Sequence, residues 1–310
     1  MLISHVIPAY NASKSIERTL DSVFDDPPPD GWSVEAIVVD DGSKDSDELA
    51  KIVEKYHNAK LVVHKTNRGM CAGRNTGITE SKGDIVTILD SDDELVENWA
   101  LVLKQVFENW PDETNVCYAA CRNDRGAVTA QEPNYSGYLT LDDILNERYS
   151  GEYLPIFRGN YIREKPYIDL GTRKSCGAIS YLSFASDGPF WISSQVIRIY
   201  HDSTEGSVTS GWTTPKKARE TVQCYDMLFE QFGKLYKERA PKVYLTKHLR
   251  LAVYKKMAGC SGAWSSWSRG VGFSTLFESA ATVIVLIAGR KLGSKVVLFS
   301  KKIRLIRQYG

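Results

Sequence analysis

Apolar and polar positions follow two rhythms over the first 110 residues. Residues 2–7, 34–39, 60–64 and 84–89 are short, near-continuous apolar runs such as AIVV, KLVV and DIVTIL. Such runs fit strands buried on both sheet faces. Between them the apolar positions step by three and four. Ile16, Leu20, Val23 and Phe24 share one side of a helix predicted over 13–24, and further helices are predicted over 48–56, 71–81 and 96–110. Strands alternating with helices predict βαβ units and a largely parallel, Rossmann-like sheet flanked by helices.

The rhythm changes after Pro111. Residues 116–120, 154–158 and 196–200 read as further strands separated by irregular segments, and 214–237 and 244–257 read as helices. The stretch DDPPPDGW (25–32) is the clearest loop, because proline fits neither a helix interior nor a central strand. The run AATVIVLIA (280–288) is far shorter than the roughly 20 residues a membrane-spanning helix needs. From Arg290 to Gly310 there are seven Lys or Arg and no acids. Leu292, Val296, Phe299, Ile303 and Ile306 form one helical stripe there, with Lys301 and Arg304 pointing away. A basic amphipathic helix of this kind fits a membrane surface; the other reading is a helix packed on the domain with its basic face in water.

Composition narrows the class. The chain is 43% hydrophobic and 25% charged over 310 residues, as in ordinary globular proteins. A net charge of +1 carries no global field that would favour nucleic acid. Six scattered cysteines form no CxxC pair, which argues against zinc and fits reduced thiols better than a disulfide framework. The N-terminus lacks the basic and apolar regions of a secretory signal, so a cytoplasmic location is expected, peripheral on the inner membrane face if the tail docks there.

The chemistry collects at strand ends, where ligands of open parallel sheets bind. Asp40 and Asp41 in VVDDGSKDSD follow one apolar run; Asp90, Asp92 and Asp93 in ILDSDDE follow another; Pro8, Tyr10 and Asn11 end the first. Asp90 and Asp92, held on one tight turn, can aim oxygens at a hard divalent cation that would neutralise a diphosphate. The plainer alternative makes Asp92 or Asp93 a cap for the following helix. In TNRGMCAGRNTG, Gly69, Gly73 and Gly77 recur every four residues and allow close approach to a neighbouring element. Arg68 and Arg74 can meet phosphate or nucleotide, or Arg74 can pair with an acidic loop. Neither a GxGxxG nor a GxxxxGK[ST] loop is present.

The four segments VIPAYN, VVDDGSKDSD, NRGMCAGRNTGI and GDIVTILDSDDEL, in this order and spacing, resemble the nucleotide-sugar domain of inverting family 2 glycosyltransferases of GT-A fold. The resemblance is strong over 1–110 and looser over 111–205. It implies a GT-A domain over 1–205, with a nucleotide-sugar half (1–110) and an acceptor half (111–205), and a helical C-terminal region over 206–310. It further implies that Pro8, Tyr10 and Asn11 line the nucleoside pocket. Asp41 would read the base, usually uracil. Asp90, with Ser91 beside it on the nucleotide, and Asp92 would form the DxD motif holding Mn²⁺ or Mg²⁺. His201 in VIRIYH would approach the metal or diphosphate.

One departure stands out. The family's base is an acid in the stretch matching RKSCGAISYLSF, where this chain has Cys176 and Gly177. Asp169 is the expected substitute, with Asp187 and Glu152 the other nearby acids. The expected activity is metal-dependent, inverting sugar transfer from a nucleoside-diphosphate sugar to a hydroxyl of a cell-surface glycan or lipid-linked acceptor. The missing acid also motivates a nucleotide-sugar-binding module without efficient catalysis. A nucleotidyltransferase is disfavoured, because VIPAYNASKS lacks a glycine-rich phosphate loop.

Overall fold

The computed structural model describes residues 1–172, 177–201 and 214–289, together with 291 and 295. Two compact units emerge: Met1–Leu141 with Tyr149–Glu205, and Asp142–Arg148 with Gly206–Gly310.

The first unit begins with the alternation written in the sequence: β1 (Leu2–Ala9), α1 (Ile16–Phe24), β2 (Ser33–Asp40), α2 (Ser46–Val53), β3 (Ala59–Val63), α3 (Met70–Glu80) and β4 (Ile85–Ile88). The order β3-β2-β1-β4 is parallel throughout. The register sets where these strands stop. Ala9 lies opposite Asp40, and Asp40 opposite Val63, so the carboxyl ends of three strands finish level on one rim.

The continuation comprises β5 (Glu94–Leu95), α4 (Trp99–Asn109), β6 (Val116–Asn123), β7 (Gly137–Leu139), β8 (Tyr153–Arg158), α6 (Gly159–Glu164), α7 (Gly177–Asp187) and β9 (Phe190–Tyr200), with α5 (Leu141–Leu145) between β7 and β8 falling almost wholly in the second unit. Here the sheet becomes mixed. β8 runs antiparallel to both β4 and β6, while β6 and β9 are parallel with a bulge around Ala120. The short β5 and β7 each pair antiparallel with β9. Apolar content cannot reveal this reversal, because strands of either direction read alike once both faces are covered. Helix α7 falls in a stretch read as irregular from sequence. It buries Ile179, Ser180, Leu182, Phe184 and Ala185, too much of its circumference to leave an amphipathic stripe. Ile3, Ile7, Leu20, Val38, Leu49, Ile85, Trp99 and Leu103 form the centre of the core.

Helix α3 lies close on the sheet because of its glycines. A Cβ at Gly77 would stand 2.3 Å from Val6 Cγ1, whereas one at Gly73 would make an ordinary 3.4 Å contact with Pro8 Cβ. Gly69 precedes the helix instead, at φ 99°, a conformation glycine adopts without steric cost.

The second unit is helical: α8 (Pro215–Arg239), α9 (Pro241–Ala258), α10 (Ala263–Gly270), a short 3-10 turn (Phe273–Thr275) and α11 (Leu276–Ala288). Pro215 and Pro241 occupy first turns, where no backbone N–H is needed. Ala218, Val222, Leu251, Val253, Met257 and Val285 form its core. The excursion 142–148 is tied to this unit by ion pairs, Arg239 to Asp142 at 2.6 Å and Lys247 to Glu147 at 2.7 Å. The stripe Leu292, Val296, Phe299, Ile303 and Ile306 lies outside the described residues. Cys71, Cys117, Cys121 and Cys260 are free thiols, but Cys224 is disulfide-bonded, against the expectation of reduced cysteines. Scattered spacing carries no information about which cysteines the fold brings together.

Candidate active site

The rim where β1, β2 and β3 end is held by side chains that bond back to backbone. Asp40 is buried; its Oδ1 accepts from Ser43 N at 2.9 Å and its Oδ2 accepts from the Ser46 hydroxyl. Its carboxylate thus ties the turn after β2 to the first residue of α2. Gly42, at φ 71°, takes the corner: a Cβ there would lie 2.7 Å from Asn67 N. Asn11, also at positive φ, donates its backbone N–H to Ser43 Oγ at 2.8 Å and accepts from Lys44 N at 2.9 Å. The loop after β1 and the loop after β2 are thereby locked together. Tyr10 beside it is 46% exposed, leaving an aromatic face open at the rim.

Asp41 has the densest set of partners. Its Oδ1 accepts from Arg68 N at 2.8 Å and faces His64 Nδ1 at 2.8 Å, and its Oδ2 accepts from Gly69 N at 2.8 Å. His64 Nε2 lies 2.9 Å from Thr76 Oγ1. The carboxylate therefore clamps the turn that starts α3 against the end of β2. A carboxylate has about four acceptor positions, so one remains on Oδ2 for a ligand.

The second cluster follows β4. Asp90 is half-exposed and stands between two guanidiniums, with Arg74 Nη2 3.8 Å from Oδ1 and Arg198 Nη1 3.5 Å from Oδ2. Arg198 is only 3% exposed and also faces Asp93 Oδ2 at 3.3 Å and Glu152 Oε2 at 3.5 Å. Burial opposes its charge, but Cys121 Sγ, 3.2 Å from its Nε, and these acids hold its pKa well above the ordinary value. Arg74 projects from α3 over the Tyr167 ring, 5.2 Å from its centroid. Burial pushes the Asp93 carboxyl up to about 8, against the opposing pull of Arg198. The backbone of the turn is fixed from α1: Thr19 Oγ1 donates to the carbonyls of Ser91 at 3.1 Å and Asp93 at 2.7 Å, and Arg18 donates to that of Asp92 at 2.6 Å.

Residues 4–171, more than half of the chain, match Glycosyl transferase family 2. The chain belongs to that family. Its relatives include the amylovoran biosynthesis glycosyltransferase AmsB of Erwinia amylovora, 43% identical over 29% of this chain and 31% of that protein. Another is GlyG of Streptococcus pneumoniae, 37% identical over 34% of each chain. The match spans about a third of the length of these relatives. Among solved structures, residues 1–349 of Staphylococcus aureus TarS in complex with UDP-GlcNAc superpose with a TM-score of 0.58 at 17% identity, covering 91% of this chain and 79% of that one. At that identity the likeness speaks to the GT-A fold.

The site residues expected of a family 2 member fall into separate groups. Pro8, Tyr10, Asn11 and Asp41 come together at the rim of β1 and β2, and Asp90, Ser91 and Asp92 form the turn after β4. His201 follows β9 and reaches the same region: its N–H donates to Asp93 Oδ1 at 3.0 Å and its Nε2 lies 2.7 Å from Glu94 Oε1, which Arg18 also holds. Arg68 is exposed and offers its backbone to Asp41. Asp169 lines a cavity of about 290 Å³ beside α3 with Arg68, Ala72, Asn75, Thr76, Thr79 and Glu80, of which Arg68 and Thr76 also bond to the Asp41–His64 clamp. Asp187 is engaged by Lys165 and by Tyr161 Oη at 2.9 Å. Glu152, not Asp169, shares Arg198 with Asp90.

Sequence reasoning passed over two residues, His64 and Arg198. Each is a lone polar residue ending or interrupting an apolar run, KLVVH and QVIRIYH, and that interruption was the available signal. For a metal, the donor set decides the fit. Among the described residues no three His, Cys, Asp or Glu side chains converge on a point that would cage an ion. Carboxylates on one turn are instead the kind of oxygen donors a hard divalent cation would take together with substrate phosphates and water.

Proposed function

We propose that the chain transfers a sugar from a nucleoside diphosphate, uridine in the first instance, to an acceptor hydroxyl with inversion. The observation that carries this reading is the Asp90–Arg74–Arg198 cluster standing at the same sheet edge as the Asp41 clamp. One end suits a nucleoside and the other a diphosphate. The TarS complex with UDP-GlcNAc supports a UDP donor, and the naming of AmsB for amylovoran biosynthesis supports a glycan or lipid-linked acceptor.

In this reading Tyr10 offers its exposed ring to the base, and the open position on Asp41 Oδ2 accepts a ring N–H. Arg74 and Arg198 orient Asp90 toward the diphosphate, while His201 supports the turn through Asp93. Asp90 and Asp92 would hold the divalent cation, which when bound supplies charge neutralisation to the leaving diphosphate. Inversion calls for a base on the acceptor side. Asp169 is the residue expected from sequence; Glu152 is the alternative, because Arg198 joins it to Asp90 at the rim where the donor would lie.

A thermal-shift panel of UDP-, GDP- and dTDP-sugars with and without Mn²⁺ tests the donor. A UDP-sugar should raise the melting temperature only with the metal, since a ligand binding the native state alone stabilises it by mass action. Asp92→Ala should lose that response. A panel without any shift, or an unchanged response in the variant, defeats the reading.

A further inference from the structure

Helix α11 is more apolar outside than inside. Ser279, Thr282, Val285 and Leu286 point into the helical unit. Phe277, Ile284 and Ile287 point out, 85%, 60% and 73% exposed. One residue in thirteen, Glu278, is charged. A helix facing water shows the reverse arrangement. The corner before it continues the patch: Phe273 is 94% exposed, and Trp264, Val271 and Leu276 are exposed around it. Apolar side chains this open, gathered on one helix and the corner before it, mark an interaction surface.

The geometry limits what the surface can do. No single helix among the described residues is long and apolar enough to cross a membrane. The segment Ala263–Gly270 and the segment Phe273–Ala288 reach that composition only together, and they are bent by 117°. A bent pair of this length suits lying in an interface with its corner inserted. The neighbouring sequence indicates which interface. From Cys260 to Gly310 Glu278 is the sole acid, and seven Lys or Arg follow Gly289. Anionic lipid headgroups attract such a segment, whereas a second copy would bring two like-charged segments together.

We propose that the α10–α11 corner is a membrane-docking surface, inserting Phe273 and Phe277 at the acyl boundary of a bilayer rich in anionic lipid. Aromatic and aliphatic side chains beside a basic segment are the composition of interfacial anchors. The proposal stands independently of the donor and the chemistry of the other unit.

The test is sedimentation of the full chain with phosphatidylcholine vesicles, with and without phosphatidylglycerol. Wild type should partition onto the anionic vesicles and weaken at high salt. The double variant Phe273→Ser with Phe277→Ser should lower that partition at least ten-fold, since burying each ring is worth about a factor of ten. Both side chains lie in solvent, so the variant should melt within about 2 °C of wild type. Undiminished vesicle binding by the folded double variant overturns the proposal, because the basic segment alone would then account for it. So does self-association in vesicle-free solution that the double variant abolishes, since a second copy would then be the occupant.

Discussion

Replacing Asp41 by asparagine separates structural clamping from ligand reading. The carboxylate serves His64 Nδ1, Arg68 N and Gly69 N, each at 2.8 Å. Asparagine has a single acceptor oxygen. Its best placement keeps the two partners of Oδ1 and turns its amide donor toward the Gly69 N–H, which is buried. Leaving one buried donor unpaired costs about 1–3 kcal/mol, and the two remaining bonds lose their ionic character. The sum is about 2–4 kcal/mol, or a drop of roughly 3–6 °C in melting temperature for a chain of this size. Calorimetry well below that temperature then reads the ligand. If the open position on Oδ2 meets the base, UDP should weaken by about ten- to a hundred-fold while inorganic pyrophosphate is unaffected. A melting temperature within about 2 °C of wild type would refute the clamp. Equal weakening of UDP and pyrophosphate would refute the base contact.

Gly77→Ala should destabilise by about 1–3 kcal/mol in urea unfolding, because its Cβ would meet Val6 at 2.3 Å, while Gly73→Ala should be tolerated. Glu152→Gln should cut transfer by about 10²–10⁴ without changing donor affinity if Glu152 is the base, and Asp169→Asn should do so instead if the sequence expectation holds. Stability should fall on acidification: burial pushes His5 down to about 3 and His248 down to about 4 from the ordinary 6.5, so both stay neutral in the folded chain while the unfolded chain takes up protons. Stability present above pH 6.5 is thus lost progressively toward pH 4, by about 1.5 kcal/mol per histidine between pH 6.5 and pH 5. His248→Phe, replacing a ring stacked 3.9 Å from Phe229 with both nitrogens unbonded, should flatten that slope in pH-dependent thermal melts; an unchanged slope would contradict the burial argument.

What the sequence made legible is what depends on neighbours along the chain. Asp41 and Asp90 stood out because an apolar strand stops abruptly at each, and the strand end is also the ligand edge. The glycines of α3 were readable as a close-approach face, although only Gly77 has a neighbour tight enough to require it. What depended on long-range pairing was not legible. Arg198 meets Asp90, Asp93 and Glu152 from positions up to about a hundred residues away, and no periodicity encodes that. His64 looked like the last residue of a strand, and only the fold sets it against Asp41. The reversal of β8 was hidden for a related reason: pairing direction is decided by the route of the loops and leaves no mark on the strand's own residues.

The charge at the second cluster bears on why a cation belongs in the proposed chemistry. Arg198 faces three carboxylates, and Arg74 adds one further positive group at Asp90. With all three acids ionised, the carboxylates outnumber the guanidiniums before any ligand arrives. A diphosphate brought to such a rim alone would add like charge in a partly buried setting, where repulsion is only weakly screened. Proton uptake at Asp93 relieves part of this, since burial raises its pKa well above the ordinary carboxyl range. The arginines cannot simply turn to the phosphates either, because Arg198 is buried and held by Asp90, Asp93 and Glu152 together. They are better understood as fixing the acids in place. That leaves the attraction for the diphosphate to a divalent ion arriving with it, and it gives Asp90 and Asp92 a reason to remain at the open side of the turn.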